Sequence, residues 1–372
     1  MEDSKVQSEQ GFKKVAVLGL GLIGGSFAYA LHEKYPDIEI TAYDPASAAK
    51  PEFIESAGSA AAAVKGADLV VLASPPGRFS ALAKEISPYL EDGVVVTDVG
   101  SVKSQAIKAI APELPEHAHY VPGHPIAGKT VSGLAAAEAG LFEGNKIILT
   151  PQASEASASS LERVKHLWQE LGADVETMPP AVHDRIYAYV SHLPHLVAFA
   201  MTPLIAEMAP RDDKKYARFT RLTQADTRLW ADICVANASN IESAIDDFNN
   251  NLRAVIDSAG KGKAARSQAD PAEFAAIIGR CLNETAACLE VRATNPQTGE
   301  REALNPLAYA GAGFKDMTAF LHASGEKVHA GEAAAMCKEI YAQMKEIKRA
   351  LHNPYQLQEV LARTQGQSVR IM

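Results

Sequence analysis

A short apolar run that ends in closely spaced glycines constrains this chain more than any other feature. The sequence from Val15 to Ser26 reads VAVLGLGLIGGS, which places Gly19, Gly21 and Gly24 in the spacing G-x-G-x-x-G ahead of a helix-like segment. The first glycine permits a tight strand-to-helix turn, the second lets the backbone approach a pyrophosphate, and the third lets helix and strand pack closely. The pattern therefore predicts a nucleotide-binding turn, with phosphates at the N-terminus of the helix.

A carboxylate 20 residues beyond Gly24 indicates which nucleotide is bound. Asp44 follows a second strand-like run, and an acid at this place can accept hydrogen bonds from both ribose hydroxyls. The next residues, Pro45, Ala46 and Ser47, include no arginine that could bind a 2′-phosphate. We therefore predict NAD as the cofactor rather than an ordinary glycine turn without a ligand. The residues predicted to bind NAD are Gly19, Gly21, Leu22, Ile23, Gly24, Asp44, Ser74 and Pro75.

Composition is typical of a globular protein and narrows the range of partners. The chain has 372 residues, enough for two domains, with 47% hydrophobic and 22% charged residues. A net charge of −9 disfavours binding to nucleic acid or to an anionic membrane, so an anionic substrate needs a local cationic site. The cysteines lack metal-type spacing, the first residues do not resemble a signal peptide, and no apolar run has membrane-spanning length. We expect a cytoplasmic protein without a metal.

Apolar runs alternate with helix-like segments up to about residue 180. Ser74, Ser101 and His124 each stand at or just beyond the end of such a run. The alternation predicts an α/β fold with a Rossmann-type, doubly wound parallel sheet, in which ligands lie beyond the carboxyl ends of the strands. We expect these three side chains at that edge.

The pattern changes after Pro179-Pro180. From residue 181 onward apolar residues recur with helical spacing, as Ile241, Ile245 and Phe248 do, which predicts an all-α domain. We predict four parts: a disordered N-terminal tail (1–12), an NAD-binding domain (13–180), a helical substrate and dimerisation domain (181–258) and a helical extension (259–372).

Several side chains are suited to chemistry. His124 lies in a stiff turn between glycine and proline, where an imidazole can take a proton near neutral pH, as oxidation of an alcohol requires. His192 and His195 flank a proline in an apolar helical pattern, and Arg221 could bind a carboxylate through paired hydrogen bonds. Each also has a structural alternative: a loop histidine, a hydrogen-bonded core or a solvated helix face, and for Ser101 a helix cap.

Together these segments resemble the prephenate/arogenate dehydrogenase family of tyrosine biosynthesis. The most specific motifs are Gly-His-Pro-Ile-Ala-Gly at residues 123–128 and Ser-His-Leu-Pro-His at residues 191–195. The resemblance spans about residues 13–255. It also includes the glycine turn, DVGSVK at residues 98–103, LTP at residues 149–151, and the stretch from Phe219 to Trp230.

The resemblance implies a role for each of these residues. His124 would accept the proton of the substrate's ring hydroxyl while hydride passes to NAD, and Ser101 would hydrogen-bond near both. His195 would line the substrate pocket, and Arg221 would bind the ring carboxylate. The implied catalytic residues are His124, Ser101 and His195, and the implied substrate-binding residues are Arg221, His192, Thr130 and Trp230.

The leading hypothesis is NAD-dependent oxidative decarboxylation of prephenate to 4-hydroxyphenylpyruvate. Many family members have a glutamate where this chain has Thr130, and an acid there would favour the amino group of arogenate. Thr130 therefore favours prephenate. Arogenate, which would give tyrosine directly, is the alternative. A non-catalytic NAD-binding sensor is a third hypothesis, which the presence of both His124 and Arg221 disfavours.

The resemblance also implies a homodimer formed through the helical domain, in which the partner subunit helps to close each active site. Within the chain, the stretches from Tyr216 and from Tyr309 are faintly alike. The extension is therefore either a degenerate repeat that brings Gly311–Asp316 toward the active site or an unrelated alanine-rich addition.

Overall fold

The computed structural model describes residues 11–46, 50–129, 131–151, 155–208, 221–261, 291–294, 301–304 and 330–369. The chain divides into two compact units, Met1–His183 and Asp184–Met372. We call them the sheet unit and the helical unit. Their division lies three residues beyond the domain boundary predicted at residue 180.

The sheet unit is built on eight strands. They are β1 (Lys14–Leu18), β2 (Glu39–Tyr43), β3 (Ile54–Ser56), β4 (Leu69–Leu72), β5 (Val95–Asp98), β6 (His119–Pro125), β7 (Lys146–Leu149) and β8 (Asp174–Thr177). Their order in the sheet is β3-β2-β1-β4-β5-β6-β7-β8, and each neighbouring pair is parallel except β6 with β7. The strand order reverses between β1 and β4, which creates the crevice where such sheets bind nucleotides.

Helices cover both faces of the sheet. They are α1 (Leu22–Lys34), α2 (Ala60–Ala63), α3 (Phe79–Ile86), α4 (Lys103–Ile110) and α5 (Glu155–Glu170). The apolar run of β1 alternates between two cores, with Val15 and Val17 in one and Ala16 and Leu18 in the other. Trp168 is buried in the first core. Continuous apolar strands of this kind are typical of a parallel sheet that is covered on both sides, so the predicted Rossmann-type fold is confirmed.

The helical unit begins within one long helical segment. This segment consists of α6 (Pro180–Tyr187), which crosses the division, a π-helical turn (Ala188–His192) and α7 (Leu193–Met208). The elements that follow are α8 (Thr227–Ala236), α9 (Ala238–Lys261), β9 (Val291–Thr294), β10 (Arg301–Leu304), α10 (Ala330–Ala350) and α11 (Pro354–Val369). Asp226 caps α8, because its carboxylate accepts hydrogen bonds from the backbone N–H groups of Arg228 and Leu229.

The last two helices belong to the core of the helical unit. α10 packs on α7 and α9, and α11 packs on α7 and α8. Ile340, Met344 and Ile347 are fully buried at helical spacing. Lys348 also pairs with the carboxylate of Asp246 on α9 at 2.7 Å. The described part of the extension is therefore integral to this unit rather than peripheral.

The structure differs from the sequence-based prediction in four places. β7 runs antiparallel to β6, because their connection carries two short 3₁₀ turns instead of a crossover helix. β3 lies between Asp44 and Ser74, where no strand was assigned, and β9 and β10 form an antiparallel hairpin in an extension predicted as helical. Strands of three or four residues are too short for hydrophobic periodicity to assign. Finally, Phe12, assigned to the disordered tail, packs against the core beneath the guanidinium of Arg163.

The described part of the chain contains neither a membrane-spanning helix nor a cluster of metal ligands. No helix there combines the length and apolar character needed to cross a bilayer. Within the same ranges, no group of three or more His, Cys, Asp or Glu side chains could hold a metal ion.

Candidate active site

The glycine turn after β1 has the geometry that its spacing predicts. Gly19 has a φ of 111°, and a Cβ added there would lie 2.7 Å from the Ala73 carbonyl carbon. At Gly24 an added Cβ would lie 2.0 Å from the Gly19 oxygen, so only glycine lets α1 pack this closely. An added Cβ at Gly21 would meet nothing within 4 Å. Gly21 is the N-cap of α1 and provides no side-chain cap, so the turn presents backbone N–H groups to open space.

Asp44 and Ser74 complete this crevice from the ends of the neighbouring strands. One oxygen of Asp44 accepts the Leu20 N–H at 2.7 Å and the other accepts the Ala46 N–H at 2.8 Å, so the carboxylate is fixed beside the glycine turn. The Ser74 Oγ is buried and has no hydrogen-bond partner among the described residues. An open turn, a fixed acid and an unsatisfied hydroxyl at the switch point fit a dinucleotide with free ribose hydroxyls.

A buried ion pair fixes the turns that carry Ser101 and His124. Lys103 and Asp98 lie 2.5 Å apart, and neither side chain is exposed. Asp98 also accepts the Gly100 N–H at 2.8 Å and the Tyr120 hydroxyl at 2.7 Å. Lys103 donates to the carbonyl of Gly123, the residue before His124. The pair therefore ties the backbone beside Ser101 to the backbone beside His124.

His124 lies where β6 extends past the end of its neighbour. β6 pairs with β5 as far as Pro122, and Gly123–Pro125 pair with β7 alone. His124 is partly buried, and its Nδ1 lies 2.8 Å from Nε2 of His183, which is completely buried. The prediction that His124 stands at the carboxyl edge of the sheet is confirmed.

The motif at residues 191–195 forms around the π-helical turn. The Leu193 N–H donates to the Ala188 carbonyl, five residues back, and Pro194 has no N–H with which to resume the normal pattern. His195 Nδ1 lies 2.9 Å from the Ser191 carbonyl, which can only accept, so Nδ1 carries a proton. π-helical turns are frequent at functional sites, and this one directs both histidines of the motif.

Asn237 and Trp230 hold these two histidines. The amide nitrogen of Asn237 donates to the Asp184 carbonyl at 2.7 Å and lies 3.1 Å from His192 Nδ1. His192 Nδ1 therefore accepts, and its neutral ring carries the proton on Nε2. The ring of His195 stacks on Trp230, with centroids 3.8 Å apart. The helical unit thus brings together three of its predicted site residues.

The structure describes the other predicted residues only in part. Ser101 precedes Val102, the N-cap of α4, so Ser101 is not the N-cap of that helix. Arg221 begins a 3₁₀ turn, Arg221–Gln224, and is described by its backbone alone. Thr130 and Gly311–Asp316 lie outside the described residues.

Three polar residues were not among the predicted site residues: Lys103 and His183 in the sheet unit and Asn237 in the helical unit. His183 is 59 residues from His124 in the chain, and Asn237 is 45 residues from His192. A contact over such separations leaves no local pattern. Lys103 did lie in a motif, DVGSVK, in which a lysine follows an aspartate by five residues directly after an apolar run, and that pattern was a usable signal.

Family models match most of the sheet unit and the first part of the helical unit. A model described as the nucleotide-binding domain of prephenate dehydrogenase matches residues 27–177, and one described as its dimerization domain matches residues 179–266. The chain belongs to the prephenate dehydrogenase family. It is therefore an oxidoreductase with a nucleotide-binding Rossmann-type domain, and the resemblance inferred from the motifs is confirmed.

Individual relatives agree with this placement. A cyclohexadienyl dehydrogenase of Zymomonas mobilis is 33% identical, over 65% of this chain and 87% of that protein. A prephenate dehydrogenase of Bacillus subtilis is 31% identical, over 63% of this chain and 67% of that protein. The prephenate dehydrogenase of A. aeolicus, whose crystal structure contains hydroxyphenyl propionate and NAD+, is 32% identical in sequence to this chain. It covers 67% of this chain and 92% of that one, with a TM-score of 0.58.

Proposed function

We propose that the chain oxidises and decarboxylates prephenate to 4-hydroxyphenylpyruvate, with NAD as the hydride acceptor. The observation that carries the proposal is the place of His124, which is fixed at the same carboxyl edge of the sheet as the crevice that fits a dinucleotide. A relative that is 32% identical has been crystallised with NAD+ and a hydroxyphenyl acid.

Asp44 supports NAD over its 2′-phosphorylated form. Its carboxylate is fixed beside the glycine turn, where it would accept the ribose hydroxyls and repel a 2′-phosphate. The N-terminus of α1 and the residues Gly19, Gly21, Leu22, Ile23, Gly24, Ser74 and Pro75 would hold the rest of the cofactor.

The chemistry assigned to the chain's own side chains is a proton transfer at His124. Bound NAD would take the hydride from the ring carbon that carries the hydroxyl. His124 takes the hydroxyl proton as a general base. The ring carboxylate then leaves as CO₂, its bonding electrons aromatise the ring, and His124 returns the proton to the phenolic oxygen. Ser101, on the turn fixed by Asp98, would hydrogen-bond beside the reacting oxygen.

The helical unit would supply the substrate contacts. Arg221 would bind a substrate carboxylate, because a dianionic substrate in a chain of net charge −9 needs a dedicated guanidinium. His195 stacked on Trp230 would give the substrate a flat apolar wall, and His192 would donate from Nε2. Thr130, where an acid would favour an amine, favours prephenate over arogenate, which remains the alternative substrate.

We also propose a homodimer formed through the helical unit. The support is the match of residues 179–266 to a dimerization domain. Sedimentation equilibrium should give twice the mass of 39.6 kDa. A monomer at every concentration tested would contradict this assignment.

Initial rates with prephenate and arogenate, each with NAD and NADP, test the proposal directly. Prephenate with NAD should give the highest kcat/KM. His124→Asn should lower kcat by about 10²–10⁴-fold, the range for loss of a general base, with little change in the Kd for NAD. A higher kcat/KM with arogenate than with prephenate would instead assign arogenate as the substrate. Turnover of neither compound would refute it.

A further inference from the structure

His183 is a second imidazole next to His124, and it has no role in the reaction proposed above. Its Nε2 lies 2.8 Å from His124 Nδ1, and the ring planes meet at 67°. A hydrogen bond between two imidazoles requires one ring to donate and the other to accept. The direction of this bond determines which nitrogen of His124 has a lone pair available for a substrate proton.

The surroundings of His183 favour its neutral form. The residue is completely buried, and burial disfavours the charged imidazolium. His183 also lies near the start of α6, where its backbone N–H donates to the Pro179 carbonyl. The N-terminal end of a helix carries a partial positive charge, which disfavours a cation there. A neutral ring has one unprotonated nitrogen that can accept a hydrogen bond.

We propose that His183 is a positioning residue that accepts the Nδ1–H of His124 and so keeps the His124 Nε2 lone pair available as the base. The inference rests on the proposed function only for the choice of Nε2 as the reacting atom. Once Nε2 has taken a proton, both nitrogens of His124 donate, and neutral His183 still accepts from Nδ1. The pair thus suits both the resting base and the imidazolium that forms during turnover.

Other ionisable groups around the pair have partners of their own. Asp98 and Lys103 form the buried ion pair, and Asp98 also accepts from Tyr120. On β7 and β8, Lys146 pairs with Asp174 and Glu176. Asp184 follows His183 in the chain and is also buried. The imidazole of His183 lies within hydrogen-bond distance of His124 Nδ1.

Two substitutions at His183 separate positioning from simple packing. His183→Leu fills the space without an acceptor, whereas His183→Gln keeps a neutral acceptor oxygen. We expect His183→Leu to lower kcat by about 10- to 100-fold, as the loss of a supporting hydrogen bond does elsewhere, and to move the acid limb of the pH–kcat profile to lower pH. His183→Gln should recover most of the rate. His117→Leu is the matched control, since His117 lies before the amino end of β6.

Long-range ¹H–¹⁵N spectra of the ligand-free protein provide a readout that needs no turnover. His124, assigned by comparison with His124→Asn, should be protonated on Nδ1, and His183→Leu should redistribute that proton between the two nitrogens. A His124 protonated on Nε2, or a His183→Leu variant with unchanged kcat and acid limb, would overturn the proposal. If the wild-type protein turned over neither prephenate nor arogenate, the proposed function would fail, while the spectra would still decide the direction of the bond.

Discussion

The polar centre of the sheet unit is the ion pair of Lys103 and Asp98, which we call the ionic centre. In the helical unit, the hydrogen bonds of Asn237 to His192 and to a backbone carbonyl, which we call the neutral centre, join uncharged groups. In the sheet unit, Lys103 and Asp98 are fully buried and bond to backbone groups of Gly123 and Gly100. In the helical unit, Asn237 joins a backbone carbonyl to the side chain of His192 without any charge. Charge here fixes the course of the backbone, and amide hydrogen bonds fix the tautomer of a ring.

This difference follows from what each unit must hold in place. The turns after β5 and within β6 contain glycines, which provide no side-chain packing of their own, so a strong buried pair compensates. The long segment from α6 through α7 is already fixed by its own backbone bonds. It therefore needs only to orient the rings that project from the π-helical turn.

The largest effect should come from breaking the ionic centre. Lys103→Met leaves the Asp98 carboxylate buried without its counter-charge, and we expect a loss of about 3–5 kcal/mol in the free energy of unfolding. Urea denaturation measures it. Lys146→Met is the control, because that lysine is partly exposed and its pairs with Asp174 and Glu176 should contribute under about 1 kcal/mol. Equal losses of unfolding free energy in the two variants would mean that the buried Lys103 pair stabilises the fold no more than the partly exposed pairs of Lys146 do.

Breaking the neutral centre should have a smaller effect. Asn237→Leu removes the partners of His192 Nδ1 and of the Asp184 carbonyl, which should cost about 1–3 kcal/mol. Asn240→Ala removes only the donor to the Asn237 oxygen and should cost about 0.5–1.5 kcal/mol. Urea denaturation of both variants at one pH tests the order. A larger loss of unfolding free energy for Asn240→Ala would mean that Asn240, and not Asn237, contributes most to this network.

The two units also differ in how much of each could be read from the sequence. The glycine turn, the strands that precede Ser74 and Ser101, and the strand that contains His124 follow local patterns, and the structure agrees with them. The antiparallel β7 depends on the length and path of a connection, which apolar periodicity does not encode.

The unpredicted part of the site consists of contacts between distant residues. His183 and Asn237 were visible as residue types, but their function depends on which side chain they meet across the fold. The short hairpin of β9 and β10 could not be predicted for another reason. Its second strand, Arg301–Leu304, is made of residues that favour helix, so tertiary context overrides local propensity there.

A buried tyrosine bonded to a carboxylate occurs in both units and allows the finest comparison. The Tyr120 hydroxyl donates to buried Asp98 at 2.7 Å, and the Tyr189 hydroxyl donates to Asp247, which is exposed, at 2.6 Å. Burial first, and then the neighbouring carboxylate, raises the pKa of both phenols above the usual value of 10, and that of Tyr120 well above it. Both folded units therefore bind the phenolic proton more tightly than the unfolded chain does.

The sign of the pH effect follows from these raised pKa values. The stability that each phenol contributes is complete below the unfolded pKa of about 10 and is lost as the pH rises beyond it. At about pH 8, Tyr120→Phe should cost about 1.5–3 kcal/mol, because its hydrogen bond is to a buried charge. Tyr189→Phe should cost about 1 kcal/mol or less, since water can replace the phenol at exposed Asp247. Urea denaturation between about pH 8 and 11 should show a shallower alkaline decline in both variants, and by a similar amount, because each folded unit keeps its phenolic proton over this range. A decline equal to that of the wild type in Tyr120→Phe would assign the alkaline sensitivity to groups outside the ionic centre.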